Sequence, residues 1–266
     1  MNPYLKILRP ETSLLGAMGA IVGALISGSN FSILFLYIAL SVFFITSAGM
    51  VINDYYDYEI DQINAPERPI PSGQISREKA FYYSLVMFAL GLIFAFMINI
   101  NCFILALANT VVEFFYAKIY KRWWLLGNIL VSWLSASVFI FGALITSNFQ
   151  LTGIMFTLSF LANMGREIFK SIEDIKGDKA VNSDTLPIAS GIKTAREIAR
   201  GFIAFAILLS PLPYFSGLLK ANYLKTILLG DTLFLYSLFQ GPTRNKKTTK
   251  LAMFFVLLAL ILSLKI

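Results

Sequence analysis

The chain contains no histidine and a single cysteine, Cys102, which sits inside an apolar run. These absences exclude a disulfide, haem ligation by histidine, Cys/His zinc sites and His-based catalytic triads. Any metal here must be held by oxygen. Charge is scarce too: Asp, Glu, Lys and Arg make up 14% of the 266 residues, against 57% hydrophobic, and the mean hydropathy is +0.71. A soluble domain carries about 25% charged residues, so the composition predicts a polytopic, all-α membrane protein.

Windows of about 20 apolar residues fall near 12 to 29, 32 to 53, 79 to 98, 101 to 117, 123 to 146, 151 to 170, 198 to 216, 222 to 240 and 248 to 265. The expectation is nine transmembrane helices in one bundle, with residues 1–266 as a single domain. The opening, MNPYLKILRPETSLLGAMGAIVGALISG, has a basic lead-in and no convincing cleavage site, so it reads as a retained first helix. The second and sixth helices are expected to run on past the membrane face, because their polar ends keep helical spacing. Of the 22 Lys and Arg, only Lys220, Lys225 and Lys265 fall on one face. The positive-inside bias makes the other face cytoplasmic, together with the N-terminus, and puts the C-terminus outside. The net charge of +7 then reflects orientation and an anionic ligand or lipid surface, and no nucleic-acid partner is expected.

Twelve of the 15 acids occupy two segments on the cytoplasmic face. Asp54, Asp57, Glu59, Asp61, Glu67 and Glu78 follow the second span; Glu167, Glu173, Asp174, Asp178, Asp184 and Glu197 surround the end of the sixth. The loops beyond them also match. A shift of 118 residues lays Asn64, Pro69, Ile70, Ser72 and Gly73 on Asn182, Pro187, Ile188, Ser190 and Gly191, and a shift of 117 lays Asp57 and Asp61 on Asp174 and Asp178. Four spans separate the copies, so both emerge on one side, as a parallel repeat requires. The halves run from about 12 to 122 and 123 to 240. The Pro- and Gly-containing loops at 62 to 78 and 179 to 195 suit a cytoplasmic cap.

On a helix Asn53, Asp54, Asp57 and Asp61 share one stripe, and so do Asn163, Glu167, Lys170, Asp174 and Asp178. Two carboxylates about 5 Å apart at an effective dielectric near 20 repel by roughly 3 kcal/mol. Divalent cations would relieve that repulsion, and oxygen-only ligation points to Mg²⁺, whose shell a substrate phosphate completes. Arg68, Lys121 and Lys170 would clamp the same anion. Solvated helix ends explain Glu59, Glu78 and Glu197. They do not explain Glu167 and Lys170, which intrude into an apolar segment where ionisable residues are costly and usually functional.

With these residues in view, the chain resembles the UbiA superfamily of intramembrane prenyltransferases. Its first motif, NDxxDxxxD, is met by Asn53, Asp54, Asp57 and Asp61, and its second, DxxxD, by Asp174 and Asp178. The following N-x-x-x-R-P-[IL]-x-S-G is met from Asn64 to Gly73, and Tyr-x4-Lys by Tyr116 and Lys121. The resemblance covers essentially the whole chain. It implies a nine-helix bundle that moves a prenyl group from an allylic diphosphate to an acceptor. It also implies two Mg²⁺ ions on Asp54, Asp57, Asp61, Asp174 and Asp178. Asn53 would orient the first set, and Arg68, Lys121 and Lys170 would grip diphosphate. Tyr116 would face the allylic cation or hydrogen-bond a phosphate oxygen. Glu167 would hold Lys170 or Arg166, or act as a base towards the acceptor. A water-excluded apolar pocket must protect the cation, lined by a minority of the 24 Phe and 12 Tyr.

Acceptors in the superfamily are aromatic rings, haem, or the free hydroxyl of geranylgeranylglyceryl phosphate in archaeal ether-lipid synthesis. The short chain looks most like the ether-lipid members, with Lys118, Arg122, Lys176, Lys179 and Lys193 as added cations for the acceptor's phosphate. An aromatic, quinone-pathway acceptor is the alternative. A cation-coupled transporter is a distant third reading, since its sites should lie near the bilayer midplane on broken helices.

Overall fold

The computed structural model describes residues 2–120 and 123–264. Among them are nine helices of 17 residues or more, numbered here α1 (Pro10–Ile26), α2 (Ile33–Tyr56), α3 (Arg77–Ile98), α4 (Ile100–Lys118), α5 (Leu126–Ala143), α6 (Gln150–Glu173), α7 (Ile192–Leu209), α8 (Ala221–Ser237) and α9 (Pro242–Ser263). Each lies at one of the nine expected windows. Local chemistry sets several ends. Pro10 and Pro242 open α1 and α9 at a position where a missing N–H costs nothing. Ser76 and Asn99 cap α3 and α4, accepting from the backbone N–H of Lys79 at 3.3 Å and of Cys102 at 2.8 Å.

Five helices are long and apolar enough to cross a membrane on length and composition: α2, α3, α4, α5 and α7 with the turn that follows it to Phe215. The bundle's surface supports a lipid setting. Phe239, Phe215 and Leu208 are more than 70% exposed, whereas Ser13, Ser41 and Ser47 are buried. Ser47 donates to Ser13 Oγ at 2.9 Å and Ser41 to the Gly91 carbonyl at 2.8 Å, so polar groups hold helices together from inside. Where α1 crosses α5 the backbones nearly touch. A methyl group added at Gly142 would overlap the Ala20 carbonyl, so only a residue without a side chain permits this crossing.

The second and sixth helices do run on past their spans, with one departure from the expected continuous ladder. Asp57 and Asp174 have ψ of 5° and 1° in place of the helical value, and each ends its long helix. Short helices follow at Tyr58–Asn64 and Ile175–Ala180. The Asn64 side chain donates to the Asp174 carbonyl at 3.2 Å, which joins the two extensions directly. A short parallel pairing of β1 (Trp123–Trp124) with β2 (Asp184–Thr185) ties the start of α5 to the loop after α6.

Candidate active site

The two extensions bring the two aspartate segments together. Asp54 and Asp61, buried, point into one side, and the loop after the first extension sends Arg68 back onto both. Arg68 Nη1 donates to Asp61 Oδ1 and Oδ2 at 2.6 Å each and reaches Asp54 Oδ1 at 3.4 Å. Arg9, just ahead of α1, pairs with Asp54 from the other direction. Asn53 Nδ2 donates to Asp57 Oδ2 at 2.8 Å, which fixes that carboxylate. In the second segment Glu167 lies buried between Arg166 and Lys170, with Lys170 Nζ 3.4 Å from Oε2. Thr185 donates to Asp178 Oδ2 at 3.4 Å.

The facing charges act on one another. Burial, the largest cause, pushes Asp61 up to about 6, with repulsion from Asp54 and Asp57 adding to it and Arg68 opposing. Burial also pushes Asp178 up to about 6, and the next causes are repulsion from Asp174 and, across the gap between the segments, from Asp57. Asp174 is raised by burial while Lys170 opposes. Burial works against the charge on Arg68, but Asp54, Asp61 and Asp57 outweigh it and raise its pKa. Tyr116 stands within electrostatic reach of Lys170, Glu167, Asp57 and Asp174, between the two sets.

The fit to a metal is specific. Among the described residues no three His, Cys, Asp or Glu side chains converge closely enough to hold an ion alone, so the five aspartates form two facing groups and no closed cage. Neighbouring carboxylates, with oxygen the only donor, suit an ion that takes one or two protein ligands and completes its shell with phosphate and water.

A stability prediction follows from the raised carboxyls. Asp61 and Asp178 hold protons more tightly when folded than when unfolded, so their ionisation destabilises the fold as pH rises from about 4 through 6. In EDTA the thermal midpoint is expected to be higher at pH 5 than at pH 7.5. Mg²⁺ with diphosphate should recover the loss at pH 7.5. The reverse order of midpoints would show these carboxylates already compensated by Arg68 and its neighbours.

Below the charged groups lies a cavity of about 220 Å³, lined by every long helix except α3. Its walls are mostly aliphatic, and Phe139 and Phe234 are their only aromatic residues among the described ones, so the expected aromatic lining shrinks to two rings. Arg166, Asn163, Thr12 and Lys250 line it as well. Asn163 donates to Ser159 O at 2.9 Å on its own helix, so it is no counterpart of Asn53. Lys118, Lys176, Lys179 and Lys193, expected to serve an acceptor phosphate, are exposed and outside this lining. Lys121 and Arg122 lie outside the described residues.

Sequence reasoning passed over Arg9, Lys250, Asp231 and Glu113. Arg9 and Lys250 were absorbed into the positive-inside count. Asp231, which accepts from Ser210 at 2.7 Å, and Glu113 are acids inside apolar windows, and that position alone is a signal.

Residues 15–260 match the model of the UbiA prenyltransferase family. The chain is 40% identical to a digeranylgeranylglyceryl phosphate synthase of Methanosarcina mazei, over 98% of each. Among solved structures it is 36% identical, with a TM-score of 0.78 over 98% of this chain and 97% of the other, to one described as giving insights into the biosynthesis of digeranylgeranylglyceryl phosphate synthase in membranes. It shares the fold of a UbiA homolog from Archaeoglobus fulgidus bound to GPP and Mg²⁺, with a TM-score of 0.73 at 19% identity over 97% of this chain and 99% of the other.

Proposed function

The chain belongs to the UbiA prenyltransferase family, and from that premise we propose that it transfers a geranylgeranyl group from geranylgeranyl diphosphate to the free hydroxyl of geranylgeranylglyceryl phosphate. It is a multi-pass membrane prenyltransferase, which sets aside the transporter reading. One observation carries the proposal: the wall of the apolar cavity includes Met50, one helical turn before Asp54, and a pair of cations, Arg166 and Lys250, distinct from the Arg68 that covers Asp61. The first feature suits an isoprenoid diphosphate with its tail in the cavity. The second suits an acceptor with its own phosphate.

The chain's residues divide the work. Asp54, Asp57, Asp61, Asp174 and Asp178 would hold two Mg²⁺ ions, directly or through water, and Mg²⁺ when bound neutralises the departing diphosphate. Arg68, Lys121 and Lys170 would grip its oxygens. Asn53 keeps Asp57 aimed. Tyr116 would turn its ring to the allylic cation. Glu167, held by two cations, positions Lys170 and Arg166. The cavity excludes water, which would otherwise quench the cation. The cytoplasmic site, nine crossings, the internal repeat and a capping role for 62 to 78 and 179 to 195 belong to the same proposal.

Arg166 Nε is buried with no hydrogen-bond partner among the described residues. Among the described residues Lys250 is held by Thr12 and by Glu11, whose side chain is 88% exposed, a pairing worth little. Both are available to an anion. The test uses purified protein with geranylgeranyl diphosphate and Mg²⁺, and compares geranylgeranylglyceryl phosphate with geranylgeranylglycerol as acceptor. Loss of the phosphate should raise the wild-type acceptor KM about 10- to 100-fold, the size of a charge-assisted contact. Arg166→Gln with Lys250→Gln should raise it as much with the phosphorylated acceptor, and no further with the other, while the donor KM stays put. Equal use of both acceptors by the wild type would overturn the phosphate assignment. Alkylation of 4-hydroxybenzoate or a naphthoate instead would move the chain to quinone synthesis.

A further inference from the structure

Joining an alcohol to an allylic cation leaves one proton to be removed, and in a histidine-free site the acceptors for it are the departing diphosphate and the carboxylates. The five aspartates face metal and diphosphate. Glu167, the base offered by the sequence, is committed to Arg166 and Lys170. The structure contains another acid in the right place.

Glu113 lies within α4, in the apolar interior, where a carboxyl is expensive to keep. Its Oε2 is buried with no hydrogen-bond partner, and among the described residues no cation pairs with it. It lines the main cavity beside Thr46 and Met50, and also a smaller neighbouring one bounded by Asn109. The fold makes room for it: a methyl group on Gly49 would overlap its carboxylate. Its depth follows from helical spacing. Gly49 is one turn, about 6 Å, below Asn53 on α2, and Glu113 is one turn below Tyr116 on α4. The carboxyl therefore lies about one helical turn deeper in the bundle than Asn53 and Tyr116.

From this geometry we propose that Glu113 is the general base of the transfer, an inference that rests on the prenyltransferase function proposed above. The C1–O bond of the donor breaks and its electron pair leaves with diphosphate. The acceptor hydroxyl oxygen forms the new bond to C1, and its proton passes to the Glu113 carboxylate.

The test measures coupling: ether formed per diphosphate released. In Glu113→Gln, which keeps the volume, ether formation should fall about 10²- to 10⁴-fold, the usual contribution of a positioned base. The donor KM should stay within about twofold, and the residual diphosphate release should yield prenyl alcohol in place of ether. Glu113→Asp should recover part of the coupling. Gly49→Ala, which retains the acid but displaces it, should uncouple in the same direction. Wild-type coupling in Glu113→Gln, or a donor KM that rises with the loss of ether, would overturn the assignment, the second by showing a packing role. If the wild type makes no ether from geranylgeranylglyceryl phosphate, the acceptor assignment fails separately. The coupling ratio is then read on whichever acceptor it does alkylate, since ring alkylation also sheds one proton.

Discussion

Asparagine at position 57 is expected to lower kcat/KM for prenyl transfer by about 10²- to 10⁴-fold while leaving the thermal midpoint of the metal-free protein unchanged or higher. Asp57 stands where α2 breaks, and the Asn53 side chain holds it at 2.8 Å. The substitution preserves size and keeps an acceptor for Asn53 while removing the charge. A full charge about 5 Å from a cation at an effective dielectric near 20 is worth roughly 3 kcal/mol, more against a divalent ion, and on the proposed mechanism the aspartates would supply that interaction while diphosphate departs. Without metal the same charge repels Asp61 on its own extension and Asp178 across the gap, against its attraction to Arg68. Activity and stability should move in opposite senses, as at other sites where function is held against stability. Kinetics at saturating and limiting Mg²⁺, beside thermal melts in EDTA, read both. A variant with lower activity and a lower midpoint would mean that Asp57 is a structural hydrogen-bond acceptor and not part of the charge array.

The bundle was legible because period and length carry it. Nine apolar windows became nine helices, and the matching segments around Asp57 and Asp174 already told where the polar groups converge. What the sequence concealed was the bend. Strict i, i+3, i+7 spacing predicts an unbroken stripe, yet both long helices end at the first aspartate that the two segments share, where ψ relaxes to near 0° and a new short helix starts. Nothing in one-dimensional spacing encodes that.

The cavity wall was less legible still. Arg166, Lys250 and Glu113 come from three helices far apart in the chain, and only packing puts them around one space. Lys118, Lys176, Lys179 and Lys193 looked equivalent to Arg166 as charges; the fold leaves them in water. Glu113 could have been found, because an acid in an apolar window is rare enough to question. That it is unpaired, and lines the cavity, required the structure.

Arg68 offers the sharpest division between the two things a cation can do in such a site. One of its nitrogens touches both oxygens of Asp61 and approaches Asp54, so it neutralises the carboxylates that would bind metal. As part of the proposed diphosphate clamp it would also stabilise the leaving group. Removing it should therefore act with opposite signs on two ligands. In Arg68→Ala the uncovered carboxylates become more negative, and half-saturation by Mg²⁺ should shift to lower concentration, by about 10-fold if roughly 1.4 kcal/mol of neutralisation is lost. The donor KM should rise and kcat fall, together costing about 10²- to 10³-fold in kcat/KM, the worth of a charge-assisted contact to a transferring phosphate group. Lys at this position keeps the charge but loses the planar fork, so Arg68→Lys should sit between the two without restoring the wild-type donor KM. Initial rates over a grid of Mg²⁺ and donor concentrations separate the terms. If metal and donor affinity fall together in Arg68→Ala, Arg68 is chiefly a strut that holds the extension Tyr58–Asn64 in place. If they move apart, the arginine and the metal compete for the same oxygens, and diphosphate arrival decides which of them the aspartates keep.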